Sequence, residues 1–483
     1  MNIFFKTLVT ISLLFITATV FAQKGWQHGR LEVTPDGHDL QFEDGTAFFW
    51  LGDTGWELFH RLKKEEIKKY LENRRQKGFN VIQSAILAEF DGLRKPNQYG
   101  EVPFNKLDPA QPNEKYFELV DWTVQEALRK GIFMGLLPTW GDKVTFNWGE
   151  GPVIFNETNA YSYGLYLGKR YAAYPNIIWI LGGDRPAIKD SADWRSIWRA
   201  MAKGIDEGAA GKAIFTYHPS GGKRSTSQYI HQEKWLAINM MQSGHGGGHD
   251  VPVWQWIERD RTILPVKPTL DAEPNYEDHP VNPWPKWDPA NGYFRDYDVR
   301  KQIYRSVFAG ACGVTYGHHS VWQFWSPREE KINYADRYWT EAIDRPGAFQ
   351  AGYLRKLIES RSVLNRIPDQ SIIAEGQGEK GEYGTAFRDA DNKYAMIYLP
   401  VGKKIKVRTD FMDTKNIMIW WFQPKTGKAV SFYILGREDI MSLEAPDPGL
   451  ENDWVLVLDD PGFKFGPPGK ENKNAAFKIA MNN

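Results

Sequence analysis

The sequence predicts a (β/α)8 barrel followed by a small antiparallel β-sandwich, which places the chain in the α/β class. Short apolar segments alternate with amphipathic helical segments eight times over roughly 320 residues, which is the pattern of such a barrel. From residue 370 the helical segments give way to short apolar strands separated by turn residues, which is typical of a sandwich. A doubly wound open sheet is less favoured, because it would use fewer strands and should carry a glycine-rich phosphate loop that this sequence lacks.

The first 22 residues are typical of a secretory signal peptide. They contain Lys6, an apolar stretch over residues 8–20, and the small residues Ala18 and Ala22. We therefore expect cleavage near Ala22 and export of the mature protein to the periplasm or beyond the cell. A membrane anchor is less favoured because the apolar stretch is too short to cross a bilayer comfortably, and we expect no membrane span.

The charge balance and the single cysteine limit the possible partners. The chain has 60 Lys and Arg residues against 60 Asp and Glu residues, so no basic surface for nucleic acid is expected. Cys312 is the only cysteine, so an internal disulfide is impossible. The 20 Trp and 22 Tyr residues exceed what a core requires and suit the C–H faces of sugars, which favours a polysaccharide or oligosaccharide ligand. The sequence does not indicate an oligomeric state.

The predicted barrel occupies residues 23–365 and begins with a hairpin over residues 31–45. The first barrel strand is predicted at 47–51 and its helix near 63–77, ended by Gly78. The second helix begins at the cap residue Asn113 and ends at Gly131. The other barrel strands are predicted at 80–87, 132–137, 177–181, 213–217, 237–241, 268–270 and 312–316, with a last helix near 349–364.

The β-sandwich is predicted over residues 370–465, with strands at 394–399, 417–422, 430–433 and 454–458. It contains no convergent group of acidic or histidine residues, so we expect it to contribute no catalytic group. Residues 466–483 are rich in Lys and Asn and are expected to form a loose tail.

Two acidic residues come directly after predicted barrel strands. Residues 177–181 form a continuous apolar run, as in a strand buried on both faces, and the run leads through Gly182 and Gly183 to Asp184. Glu273 comes after the seventh strand. Both side chains should face one pocket, because catalytic groups collect at the carboxyl ends of barrel strands. Glycoside cleavage requires such a pair, one as proton donor and one as nucleophile or base, and each carboxylate raises the pKa of the other. The candidate substrate-binding residues around them are Asp53, Trp56, Trp140, Asp142, His218, Gln242, His245, His318, His319 and Trp322.

Two other classes of function compete with a glycosidase. A metal-dependent hydrolase could use His218, His245, His249, His318 and His319, but the position after the first strand reads Gly52-Asp-Thr-Gly55, where such barrels usually place a His-x-His pair. We therefore expect no metal and no other cofactor. A non-catalytic polysaccharide-binding protein is the third class, and the presence of both carboxylates argues against it.

Three motifs carry a resemblance to a known family: Trp50-Leu-Gly-Asp-Thr54, Leu181-Gly-Gly-Asp-Arg-Pro186 and Leu270-Asp-Ala-Glu-Pro274. With these the barrel resembles the apiosidase-like glycoside hydrolases, and the second domain is similar to the small domain, described as collagen-binding, that often follows that barrel. The resemblance implies endo-acting hydrolysis of apiosyl linkages in rhamnogalacturonan II, a pectic polysaccharide of plant cell walls. A glycosidase of another specificity on the same barrel stays an alternative, because such families diverge through their loops.

Carried over to this chain, the resemblance makes Asp184 the acid/base and Glu273 the nucleophile of a retaining mechanism. The wider group of such barrels usually ends the fourth strand in Asn-Glu, whereas this chain ends it in Gly183-Asp184, a side chain shorter by one methylene. The backbone must then approach the substrate more closely, which glycine permits. A retaining mechanism also predicts a carboxyl separation of about 5 to 5.5 Å.

Overall fold

The structure is a computed structural model that describes residue 26 and residues 28–145, 148–222, 225–281 and 288–470. The predicted signal peptide and residues 471–483 of the predicted tail lie outside the described residues. Within the described part of the chain, no helix is long and apolar enough to cross a membrane.

Eight parallel strands form the central sheet, and every residue in them is buried. The strands are β1 Trp50–Thr54, β2 Val81–Ala85, β3 Phe133–Leu137, β4 Ile177–Gly182, β5 Phe215–His218, β6 Asn239–Met241, β7 Thr269–Asp271 and β8 Gly313–Tyr316. Along the sheet the order is β5-β4-β3-β2-β1-β8-β7-β6, so every strand except β6 pairs with the strand before it in the sequence, and β8 pairs with β1. This confirms the predicted (β/α)8 barrel, with one face of each strand inside and the other under the helices.

The barrel has an incomplete seam between β5 and β6, which form no ladder in the sheet. Their lower ends are joined where the N–H groups of Ala237 and Ile238 donate to the Phe215 carbonyl at 3.0 and 3.3 Å. The described residues between these strands hold one 3₁₀ turn, Thr226–Gln228, where a helix would continue the pattern. The Ser227 hydroxyl donates to buried Asp260 at 2.7 Å, so polar contacts fasten this connection in place of an apolar helix face.

Seven helices of nine or more residues surround the barrel in the described residues: α1 Lys64–Gln76, α2 Glu114–Arg129, α3 Glu157–Tyr171, α4 Arg195–Gly208, α5 Val253–Arg261, α6 Asp296–Phe308 and α7 Pro346–Glu359. The predicted cap Asn113 accepts a hydrogen bond from the Lys115 N–H at 3.2 Å, so α2 begins where the sequence predicts. Short helices at Leu58–Arg61, His319–Trp322 and Trp339–Ala342 lie in the loops at the upper rim.

Glycines bring α3 and α4 into close contact. A Cβ added at Gly168 would lie 2.2 Å from the Ile205 carbonyl oxygen, and one added at Gly204 would lie 2.2 Å from that of Tyr161. No larger residue fits at either position unless the backbone moves. This contact fixes the helix that precedes β4 against the helix that comes after it.

A three-stranded antiparallel sheet precedes the barrel, formed by Leu31–Val33, Leu40–Phe42 and Ala47–Phe48. The predicted hairpin is therefore extended by a third strand, over residues that the sequence assigned to the first barrel strand. Trp26 and Phe42 of this region pack with Phe133 at the start of β3, so the sheet belongs to the barrel core.

Two antiparallel sheets form the second domain. The strands are β9 Arg366–Pro368, β10 Ile373–Glu375, β11 Thr385–Asp389, β12 Tyr394–Leu399, β13 Gly402–Arg408, β14 Asn416–Gln423, β15 Lys428–Gly436, β16 Ile440–Gly449 and β17 Trp454–Asp459. One sheet has six strands in the order β9-β11-β12-β17-β14-β15, and the other has three in the order β10-β13-β16. All four predicted strands of this region occur, each within two residues of its predicted start.

The second domain shares a hydrophobic core with the barrel. One face of β11, β12 and β17 packs on α6 and α7. Beside this core, Arg300 of α6 lies 2.8 Å from Asp453, and both side chains are 1% exposed. A second ion pair, Arg361 with Asp459 at 2.7 Å, is fully buried. These contacts attach the β-domain to the helices rather than to the loops that hold the two carboxylates.

Candidate active site

Two histidines converge on Glu273 at the barrel mouth. Nε2 of His245 lies 3.0 Å from Glu273 Oε1 within a hydrogen bond, and Nε2 of His218 lies 2.9 Å from Oε2 in a less favourable direction. Nδ1 of His218 accepts the Asp184 N–H, and Nδ1 of His245 accepts the Tyr276 N–H, each at 3.3 Å. Each neutral imidazole therefore carries its proton on Nε2 and turns it toward Glu273.

The pKa values of the two candidate carboxyls are shifted in opposite directions. Burial alone would raise the pKa of Glu273, but contacts from His218 and His245 outweigh burial and hold that pKa well below its usual range. Burial raises the pKa of Asp184; the Arg185 charge opposes this rise, and the Glu273 charge adds to it. At one barrel mouth, Glu273 is kept ionised while Asp184 is more easily protonated, which is the division between a nucleophile and an acid.

The backbone after β4 aims Asp184 into this group. Gly182, Gly183 and Asp184 have φ angles of 89°, 95° and 55°, which lie in the left-handed region. A Cβ at Gly182 would lie 2.3 Å from the His218 carbonyl oxygen, so only glycine fits there. The Asp184 side chain is 25% exposed, and its Oδ2 lies 3.1 Å from Arg185 Nη1. The turn leaves the carboxyl both reachable and oriented.

Aromatic residues predicted to bind substrate line the same mouth. The Trp56 ring lies 5.2 Å from both Trp140 and His218, and its Nε1 donates to the Tyr276 hydroxyl at 3.2 Å. The Tyr276 hydroxyl also hydrogen-bonds to Glu273, and burial together with the Glu273 charge raises the pKa of Tyr276 well above its usual value. The structure thus brings both tryptophans and His218 together around Glu273.

Gln242 and Trp322 also lie among the strand-end loops. Gln242 comes directly after β6, and its buried Oε1 has no hydrogen-bond partner within the described residues. Trp322 is 8% exposed and its Nε1 donates to His319 Nδ1 at 3.3 Å. The Gln242 oxygen is therefore suited to a substrate hydroxyl, whereas the Trp322 nitrogen is already used.

Asp53 and Asp142 are engaged by protein groups. Asp53 is fully buried at the end of β1, where Arg74 Nε lies 2.6 Å away and Tyr70 donates a second, very short hydrogen bond. Asp142 accepts the Gly151 N–H at 2.9 Å. The structure does not bring Asp53 into the group around Glu273, and its role as a sugar ligand stays a prediction.

His318 and His319 are likewise buried and engaged. His318 Nε2 lies 3.1 Å from Asp278 Oδ2, and its Nδ1 accepts the Ser320 N–H at 3.0 Å. His319 Nε2 lies 2.8 Å from the Asn333 carbonyl. Both side chains support the wall after β8, and their contact with a sugar also stays a prediction.

Three residues near Asp184 were missed by the sequence reasoning: Glu89, Trp148 and Arg185. The Arg185 guanidinium lies 4.2 Å from the Trp148 ring centre and 3.6 Å from Glu89 Oε1. Glu89 lies in the loop after β2, and its place near a strand end could have revealed it. Trp148 lies in a long irregular connection between β3 and α3, where no periodic pattern marks it.

Metal binding is not indicated by the described residues. Within them, no group of three or more His, Cys, Asp or Glu side chains could hold a metal ion. Of the five histidines named as possible ligands, His245 hydrogen-bonds to Glu273 and His218 lies 2.9 Å from the same carboxylate. The other three, His249, His318 and His319, contact protein oxygens.

Comparison with known families agrees with this arrangement. Residues 34–365 match the family model described as "Apiosidase-like, catalytic domain". Residues 367–459 match the model described as "Putative collagen-binding domain of a collagenase". No curated protein is significantly similar to the chain.

Solved structures give the same result. One described as a glycoside hydrolase is 32% identical with a TM-score of 0.81, over 91% of this chain and 98% of the other. A structure described as glycoside hydrolase family 5, from Bacteroides vulgatus ATCC 8482, is 31% identical with a TM-score of 0.82, over 92% of this chain and 97% of the other. The barrel, the paired carboxyls at its mouth and the match over residues 34–365 lead to one conclusion: the chain belongs to the apiosidase-like family of glycoside hydrolases.

Proposed function

We propose that the protein is an exported, endo-acting, retaining glycosidase that hydrolyses apiosyl linkages in the pectic polysaccharide rhamnogalacturonan II. Asp184 serves as the acid/base and Glu273 as the nucleophile. One observation carries this proposal: the pKa values of two carboxyl groups at one barrel mouth are shifted in opposite directions. Glu273 is faced by the Nε2–H groups of His218 and His245, whereas burial keeps Asp184 more easily protonated.

The proposed reaction proceeds in two steps, formation of a glycosyl ester and its hydrolysis. Asp184 donates its proton to the glycosidic oxygen while the Glu273 carboxylate attacks the anomeric carbon. The bond to the leaving oxygen breaks, the leaving group departs as an alcohol, and a glycosyl ester forms on Glu273. Asp184 then takes a proton from the water that attacks the same carbon, the ester bond breaks, and Glu273 regains its charge. His218 and His245 stabilise that charge in the free enzyme.

The substrate class is supported by the family and the export by the N-terminal sequence. The apiosidase-like match covers the whole barrel, including the loops that carry Asp184 and Glu273. Export rests on the signal-like character of residues 1–22. The β-domain is attached to α6 and α7, so its proposed role is to support the barrel or hold polysaccharide without contributing a catalytic group.

Product analysis tests the proposal. Wild type and Glu273→Gln are incubated with rhamnogalacturonan II, arabinan and xylan, and proton NMR identifies the first-formed anomer. We expect release from rhamnogalacturonan II with retention of configuration, and no product from Glu273→Gln because no covalent ester can form. An inverted first product would remove Glu273 as nucleophile. Asp184→Ala should lose least on substrates whose leaving groups need no proton.

A second candidate is a glycosidase of another specificity. It is favoured by the solved neighbour described as family 5, which is as similar to this chain as the other neighbour reported above. Release from arabinan or xylan alone would support this candidate. Lack of turnover on all three polysaccharides, with retained binding, would instead support a non-catalytic polysaccharide-binding protein.

A further inference from the structure

Arg185 holds three partly exposed groups side by side. Its Nη1 lies 3.1 Å from Asp184 Oδ2, its Nη2 lies 3.6 Å from Glu89 Oε1, and its guanidinium carbon lies 4.2 Å from the Trp148 ring centre. The Arg185 side chain is fully buried, whereas Glu89 and Asp184 are 17% and 25% exposed and Trp148 is 41% exposed. A buried cation therefore holds a ring and two carboxyls, all partly exposed, close to one another.

The orientation of the Trp148 ring is fixed. Its backbone carbonyl accepts hydrogen bonds from Arg185 Nε at 3.1 Å and Nη2 at 2.8 Å, and the guanidinium covers one face of the ring. The Trp148 side chain also hydrogen-bonds to Asp184. A tryptophan that is held in place yet exposed beside a catalytic carboxyl offers its other face to a ligand.

The main chain of Glu89 is held by hydrogen bonds, while its carboxyl is able to form further ones. Its N–H donates to Glu57 Oε1 at 3.2 Å, and its carbonyl accepts from Lys143 Nζ at 3.1 Å. The 3.6 Å between its carboxyl and Arg185 is longer than a hydrogen bond. Burial raises the pKa of Glu89 above its usual value; the Arg185 charge opposes this rise, and the Asp184 charge adds to it. A protonated Glu89 carboxyl can both donate and accept.

We propose that Trp148 and Glu89 form the subsite for the sugar residue on the leaving-group side of the cleaved bond. Trp148 stacks on a C–H face of that ring, and Glu89 hydrogen-bonds to its hydroxyl groups. The reason is positional: the acid must reach the glycosidic oxygen, and Trp148 and Glu89 adjoin Asp184 through Arg185. The groups that contact Glu273 are instead His218 and His245, so we place Trp148 and Glu89 next to the leaving sugar. The inference rests on the proposed role of Asp184, and it assigns a sugar ring as ligand.

Two substrates separate this subsite from the chemistry. An oligosaccharide from the cleaved polysaccharide has a leaving sugar, whereas the glycosyl fluoride of the same sugar has none and needs no proton. Trp148→Ala should raise KM for the oligosaccharide about tenfold, the effect of roughly one stacking contact, and change kcat/KM for the fluoride less than twofold. Trp148→Phe keeps a ring and should stay near wild type in KM. Phe432→Ala, which removes a 50% exposed ring on β15, is the matched control.

Glu89 is tested in parallel. Glu89→Gln keeps hydrogen-bonding atoms and should retain oligosaccharide KM, whereas Glu89→Ala should raise it; Glu233→Gln, a carboxyl paired with Arg199 on the surface, is the control. Equal losses on oligosaccharide and fluoride, or equal KM in Trp148→Ala and wild type, would overturn the subsite. If wild type cleaves neither substrate, the proposed function fails by itself. The oligosaccharide Kd, measured by calorimetry, then decides the subsite, and an unchanged Kd in Trp148→Ala refutes it.

Discussion

Asp453 fastens the β-domain to the barrel, and Asp453→Asn should weaken both parts of the protein together. Its carboxylate receives Arg300 Nε at 2.8 Å and Nη2 at 2.8 Å, and the Tyr398 hydroxyl at 3.1 Å. The substitution keeps the shape but removes the buried counter-charge of Arg300, whose remaining ion pair is with part-exposed Asp296 at 3.1 Å. Arg300 retains Gln350 Oε1 at 2.7 Å, so the loss is partial.

The magnitude depends on the burial of the pair. Removing one partner of a buried ion pair costs about 3–5 kcal/mol, and the retained Gln350 contact places Asp453→Asn near 3 kcal/mol, about the lower limit. If barrel and β-domain unfold as one unit of about 450 residues, the unfolding entropy is about 0.9 kcal/mol/K and Tm falls by about 3 °C. If the β-domain unfolds alone, with about 95 residues, the same cost lowers its own Tm by about 15 °C.

Calorimetry distinguishes the two cases. Because the domains share a core and two buried ion pairs, we expect one transition displaced by about 3 °C, with enzyme activity lost in the same range. Asp193→Asn removes a carboxylate whose Arg195 pair is 44% and 33% exposed, and should cost under about 1 kcal/mol. Two separated transitions, with only the smaller one displaced, would refute the shared-core reasoning.

Three further predictions concern the catalytic mouth and the barrel wall. His245→Phe removes an N–H donor to Glu273, so the pKa of Glu273 should rise. The acid limb of the pH profile of kcat/KM should then move to higher pH, and an unmoved limb contradicts the assignment of this hydrogen bond. Burial raises the pKa of Asp271 to about 7, so the stability contributed by its protonated form is complete below the unfolded pKa of about 4 and is lost as pH rises through about 7. Asp271→Asn should therefore flatten the fall in urea midpoint between about pH 4 and 7, and an equal slope would count against it. Gly168→Ala should lower the free energy of unfolding by about 1–3 kcal/mol despite the better helix propensity of Ala, because its Cβ would lie 2.2 Å from the neighbouring helix. Gly436→Ala, with open space around the new Cβ, should leave the free energy of unfolding nearly unchanged in the same chemical denaturation experiment.

The sequence predicts the barrel and the positions of Asp184 and Glu273 because each continuous apolar strand fixes the place of the loop residues at its carboxyl end. The same rule places His218 and His245 at the mouth, although nothing in the sequence indicates that both would turn Nε2 toward one carboxylate. That outcome depends on backbone N–H groups far away in the chain.

The partner of Asp53 could not be predicted from its position at a strand end. It lies at the end of β1 much as Asp184 lies after β4, yet Arg74 on α1 claims its carboxylate from behind the sheet. A helical arginine 21 residues away in the chain cannot be matched to a strand-end acid without knowing how α1 packs. Trp148 was missed for the opposite reason, since its loop has no repeating pattern and only its contact with Arg185 reveals it.

Glu273 also connects β5 and β6 across the open seam between them. His218 ends β5 and His245 lies after β6, so the two oxygens of one carboxylate tie together upper strand ends that have no ladder between them. Esterification of either oxygen would release one of these ties. If the proposed retaining mechanism holds, amide hydrogen exchange in β5 and β6 should therefore quicken in a trapped glycosyl-enzyme relative to the free protein.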